Sequence, residues 1–225
     1  MKNYFTIVRK HAGVCQFIAF FYLARGTSKY TQILFFQKHA ALLNYSFSYP
    51  AMALASSCAF LIANNLKGWS LQKIVRKTLP LYALGMRLRV FPQSTLLAIL
   101  SGRFSGLGAS LTLLVIRTWL YALSDRDPTE KEQLISARYT LGATVLSGGV
   151  LASIGKGDIG YLFLLSVSAG VMAFLGNAKI DTTERIMPFV YLSEDKLQGL
   201  ALYLSVLFLG LANALVGLVV AAILV

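Results

Sequence analysis

No aspartate or glutamate occurs before Asp125, so the first 124 residues carry positive charge with nothing in the chain nearby to balance it. That absence excludes a paired-carboxylate active site or an acid-anchored cation from more than half of the protein. Cysteine is scarce too. Cys15 and Cys58 lie in separate apolar stretches with no CxxC spacing, which excludes a thiolate metal site or a disulfide scaffold and leaves ordinary buried thiols. The two histidines, His11 and His39, are too isolated to suggest a metal centre. No HExxH, GxSxG or P-loop pattern is present. The sequence therefore names no catalytic residue, no metal and no cofactor, and it reads as a protein that is not an enzyme.

Charge is sparse overall. Only 13% of residues are charged, about half the usual share of a soluble domain, and the mean hydropathy is +0.65. The longest apolar run explains why. Gln198–Val225 holds no charge over 28 residues and as a helix reaches roughly 40 Å, beyond the ~30 Å hydrocarbon core of a bilayer. These features predict an all-α, polytopic helical membrane protein forming a single integral domain over 1–225, in a bacterial-type plasma (inner) membrane. Fourteen of the 21 basic residues precede Asp125, whereas 125–225 hold seven basic and nine acidic residues. The early basic residues punctuate hydrophobic segments, which fits anionic headgroups as the partner and argues against nucleic acid.

Hydropathy divides the chain into about seven or eight spans plus one interfacial helix. Residues 12–66 supply the first helices: Ala12–Ala24 after a basic leader, Thr31–Ser46 after a turn at RGTSK (25–29), and Ala51–Leu66 after a turn at 47–50. Whether 12–24 spans decides between seven and eight helices. Segment 67–89 is different in kind. Leu71, Ile74, Val75, Leu79 and Tyr82 share one side, Lys73, Arg76 and Lys77 the other, and Pro80 bends the middle. It reads as a basic amphipathic helix in the headgroup region, with Lys73, Arg76, Lys77, Arg87 and Arg89 as its lipid-contacting residues. Further helices occupy 90–123, broken by a turn at Gly102–Arg103, then 139–175, broken at GKGD, and 198–225. Ser124–Arg138 is an aqueous loop whose Thr129 and Glu132 form a capping box. Glycine and serine recur through 101–110 and 142–153 as packing surfaces between helices.

Lys38 is the sharpest candidate for function. It falls about midway along 31–46, where an ammonium costs ~2.5–3.5 kcal/mol unless it faces a polar interior. No acid in the first 124 residues can pair with it, which leaves a distant Asp or Glu, a bound anion, or no partner for a deprotonated amine, unless 31–46 is shifted so that Lys38 lies nearer an interface. Gln37 and Asn44 lie on roughly one helical face, and with Lys38 and His39 they form the candidate substrate-binding set. Arg117 reads as snorkelling into an aromatic belt with Trp119 and Tyr121.

The runs MRLRVFPQSTLLAILSGRFSGLGASLTLLVIRTWL (86–120) and LGATVLSGGVLASIGKGDIGYLFLLSVSAGVMAFLGN (141–177) resemble consecutive helices of the bacterial inner-membrane YgjV-like proteins, over about half the chain. That family is similar to the PnuC and SWEET transporters, built from three-helix bundles, and the resemblance implies transport without carrying over any site residue. Three stretches, 25–66, 87–123 and 136–175, also share a helix–turn–helix plan of the kind repeated in transporters. The expected function is a small permease-like protein for a small polar or anionic solute. The alternative is a non-transporting membrane subunit that docks a membrane-protein partner, or a second copy of itself, through its basic cytoplasmic segments.

Overall fold

Long apolar stretches with few interruptions resolve into helices. The computed structural model describes residues 12–66, 68–124, 142, 143, 145–151, 153, 154 and 157–180, with positions 204, 205, 208, 212 and 215. Among the described residues the helices are α1 (Ala12–Lys38), α2 (Leu42–Asn65), α3 (Leu71–Arg87), a 3-10 turn (Leu88–Val90), α4 (Thr95–Ser124) and α5 (Asp158–Leu175), and there is no strand. The described positions between 142 and 154 are helical as well, as are the five isolated positions of the long C-terminal run. The basic leader, the loop 125–138 with its capping box, and the rest of 198–225 lie outside the described residues.

Three expected turns are absent. RGTSK runs through the middle of α1, Pro50 lies inside α2, and Gly102–Arg103 lies inside α4. These stretches therefore belong to helices. Three helices in 12–66 become two, and the pair in 90–123 becomes one. The physical reason is packing. A Cβ on Gly102 would strike the Ser48 carbonyl and one on Gly106 the Met52 carbonyl, so α2 and α4 meet backbone to backbone. Gly108 gives α3 the same access, since its Cβ would stand 2.8 Å from the Thr78 carbonyl oxygen. These small residues let helices approach rather than break them. Pro50 removes one amide from α2 without ending it, as happens when a neighbouring helix supports the freed backbone.

The real break falls at His39–Ala41. Ala41 N–H donates to Phe36 O at 2.8 Å and Ala40 N–H to Gln37 O at 3.1 Å, the paired bonds of a Schellman cap. Ala40 holds the left-handed conformation such a cap needs, with φ 52°. Phe36 and Ala41 complete it by packing in one apolar cluster.

The segment expected at 67–89 forms helix α3, starting at Leu71. Ser70 caps it by accepting from the Lys73 N–H at 3.3 Å, and the helix continues through Pro80. Its apolar side (Leu71, Ile74, Val75, Leu79, Tyr82, Met86) packs with Phe17, Ile18 and Phe21 of α1 and Met172 of α5 in the main core. The helix is therefore amphipathic as expected, with its apolar face turned into the protein. Helix α4 lies along both α2 and α3, while α1 lies along α5.

Two described helices are long and apolar enough to cross a membrane, Thr95–Leu120 within α4 and Asp158–Leu175. The seven or eight spans expected from hydropathy are not found among the described residues, because helices merged and α1 carries Arg25 and Lys29 at its centre. Helix α5 exposes one apolar side, with Ile159 86% and Phe174 75% accessible, while Leu164, Leu165 and Met172 are buried.

Candidate functional site

The expected substrate residues meet at one end of the bundle, on the break between α1 and α2. Lys38 is the last residue of α1, not a mid-helix residue, and its side chain is about half exposed. Its Nζ lies 3.1 Å from Oδ1 of Asp158, the first residue of α5. A distant aspartate is thus its partner, and its position near a helix end removes the need for a mid-bilayer cavity. Asp158 also sits where the α5 dipole favours a negative charge. His39 Nδ1 is 2.9 Å from Phe35 O, and its Nε2 is 3.9 Å from the same Asp158 oxygen.

Gln37 is exposed, and the cap at Ala40 separates it from Asn44, so the two do not share a helical face. Asn44 instead ties the turn to the start of α4. Its Nδ2 donates to Pro92 O at 2.8 Å, and Thr95 Oγ1 donates to its Oδ1 at 2.7 Å. Gln93 Nε2 adds a bond to His39 O at 2.9 Å. This end of the molecule is a fastened corner rather than an open polar chamber.

Of the expected headgroup residues, Lys73, Arg76, Lys77 and Arg87 are exposed on α3. Lys73 and Lys77 lie over the Trp69 ring at 4.2 and 4.8 Å. Arg89 does not belong with them. It is 4% exposed and points into the bundle, because it lies seven residues after Tyr82 and three after Met86, in register with the buried face of α3 rather than with the basic one. Its Nη1 donates to Ser28 Oγ at 2.8 Å and its Nη2 to Ser105 Oγ at 3.1 Å, while Nε has no partner. Asp158 is the sole carboxylate among the described residues, and it is engaged by Lys38. A guanidinium thus lies buried among hydroxyls with no counter-charge from the described residues, an arrangement that costs several kcal/mol relative to water unless an anion compensates it.

Around Arg89 the interior is polar on both flanking helices. Ser28, Thr31 and Gln32 are buried on one face of α1, Ser101 and Ser105 on one face of α4, and Ser48 on α2. Gln32 Nε2 reaches Ser48 Oγ at 3.4 Å. Only three buried side-chain atoms among the described residues lack a hydrogen-bond partner, Thr31 Oγ1, Arg89 Nε and Ser101 Oγ, and all three belong to this layer. Since α1 ends and α4 begins at the same corner, Thr31 and Ser101 lie one turn from Ser28 and Ser105, the two residues Arg89 contacts, on the side towards Lys38. Two sets of these residues carry a sequence signal: Ser28, Thr31 and Gln32 at i, i+3 and i+4 of α1, and Ser101 and Ser105 four apart in α4.

No protein-family model, curated protein or solved structure matches the chain.

Proposed function

We propose that the chain is a small multi-pass, permease-like protein of a bacterial-type inner membrane, moving a small polar or anionic solute through the layer that holds Arg89. The observation that carries this reading is the buried guanidinium with hydroxyl neighbours and no acid among the described residues. Buried ionisable groups in membrane helices line solute or ion paths by default. Arg89 also bridges two helix groups, since Ser28 belongs to α1 and Ser105 to α4. Rocking of helix groups about a central site is the common mode of secondary transport. The exposed apolar side of α5 and the exposed cations Lys73, Arg76, Lys77 and Arg87 of α3 suit acyl chains and anionic headgroups. The likeness of 86–120 and 141–177 to YgjV-like helices supports the same reading.

Accessibility tests it. In a background with Cys15 and Cys58 replaced by alanine, Ser105→Cys is labelled with a membrane-impermeant thiol reagent from each side of sealed vesicles. Transport predicts labelling from both sides, slowed by small anions. A folded protein labelled from neither side carries a packed structural arginine, and the docking-subunit reading takes its place.

A further inference from the structure

Which solute the layer takes follows from the unused hydrogen-bonding groups. We infer that Arg89, with the hydroxyls of Thr31 and Ser101, binds the carboxylate of a small monocarboxylic acid. The inference rests on the transport reading for its direction and on three features of the layer for its chemistry.

Charge comes first. Among the described residues the layer offers one guanidinium, neutral hydroxyls and the Gln32 amide, so a monoanion neutralises it, whereas a phosphate dianion leaves a negative charge in a low-dielectric interior. Geometry comes second. Ser28 and Ser105 each take one guanidinium N–H, and the Nε–H remains without a partner. That N–H lies on the side-on edge of the guanidinium plane, whose parallel donors match the two oxygens of a carboxylate. The hydroxyls that accept from Arg89 keep their own protons to donate to the same anion.

Size is the third feature. Ser28, Thr31, Ser101 and Ser105 are all inaccessible, and α3 closes one wall, since a Cβ on Gly85 would stand 2.6 Å from Ser105 N. Such a layer admits an acid of a few carbons once the helix groups part. Thr31 and Ser101, unpartnered and one turn nearer the Lys38 corner, meet the carboxylate or a hydroxyl beside it.

The test is saturable stabilisation of the full chain purified in detergent. Melting is followed at increasing sodium acetate or lactate, with sodium phosphate and chloride at matched ionic strength. Carboxylate binding predicts a saturable rise in Tm with acetate or lactate only. Thr31→Val and Ser101→Ala, which remove hydroxyls without a partner and little else, should melt no lower than the parent without anion, yet bind about tenfold more weakly. Arg89→Lys, which keeps the charge but loses the planar fork, should lose saturation. Equal responses to all four salts, saturation with phosphate or chloride alone, or unchanged affinity in both hydroxyl variants overturns the assignment. The two readings fail separately: carboxylate binding with no access at Ser105 from either side keeps the site and removes transport. Access from both sides without carboxylate binding keeps transport and removes this site.

Discussion

Lys38 Nζ stands 3.1 Å from Asp158 Oδ1, joining the end of α1 to the start of α5 across 120 residues of sequence. Both side chains are about half exposed, so the pair contributes modestly, and Asp158 adds its interaction with the helix dipole. Asp158→Asn should cost about 1 kcal/mol or less, seen as a small fall in Tm, with the exchange Lys38→Asp/Asp158→Lys recovering part of the pair term. A short bis-maleimide should link Lys38→Cys to Asp158→Cys once Cys15 and Cys58 are replaced by alanine; absence of a link places the corner elsewhere.

The glycines of α4 and α5 should separate cleanly. Gly106→Ala drives a methyl into the Met52 backbone and should destabilise by about 1–3 kcal/mol, as overpacking does. Gly102→Ala meets the Ser48 carbonyl and should behave alike. Gly170→Ala meets nothing within 4 Å and should be neutral or stabilise by up to ~1 kcal/mol through helix propensity. Thermal melts of the three variants in one detergent check the ranking.

At Ala40 the backbone has φ 52°, where a side chain costs roughly 1–2 kcal/mol relative to glycine. Ala40→Gly should raise Tm slightly, the gain being trimmed by the freer unfolded chain, and the β-branched Ala40→Val should lower it. If both variants melt like the parent, α1 does not end in this cap.

How far the sequence could be read is clearest at those same places. Helical class, the amphipathic face of 71–87 and the break at GKGD before α5 follow from periodicity and turn residues. The turns misled because RGTSK, the segment around Pro50 and SGR look like punctuation in water. Here Ser28 receives Arg89, Gly26 packs against Ser147 with room for no Cβ (2.9 Å to Oγ), and Gly102 seats the α2 backbone. Small and polar residues serve as contact surfaces between helices, a use that local composition does not distinguish from a loop. Arg89 was legible but grouped by charge: it follows Arg87 in a basic series, yet its spacing from Tyr82 and Met86 puts it on the buried face of α3.

Gln72 uses both ends of its amide on the chain that follows α5. Its Nε2 donates to Ala178 O at 2.8 Å, and its Oε1 accepts from Ile180 N–H at 2.7 Å. Gln72→Ala leaves both backbone groups unpaired and should loosen this segment by about 1–2 kcal/mol. Hydrogen exchange should quicken at the Ile180 amide while that of the α4 core stays slow; unchanged exchange at Ile180 removes this clamp.

Where Gly102 and Gly106 bring α4 against α2, no side chain intervenes that could repack, so the pair behaves as one stiff beam with α3 braced at Gly108. Loosening must then come from α1, the layer's other wall. Arg89 and its hydroxyl neighbours are buried in the arrangement described, so on the transport reading a solute reaches them only when α1 parts from this beam. On that same reading the beam is the fulcrum about which α1 would turn.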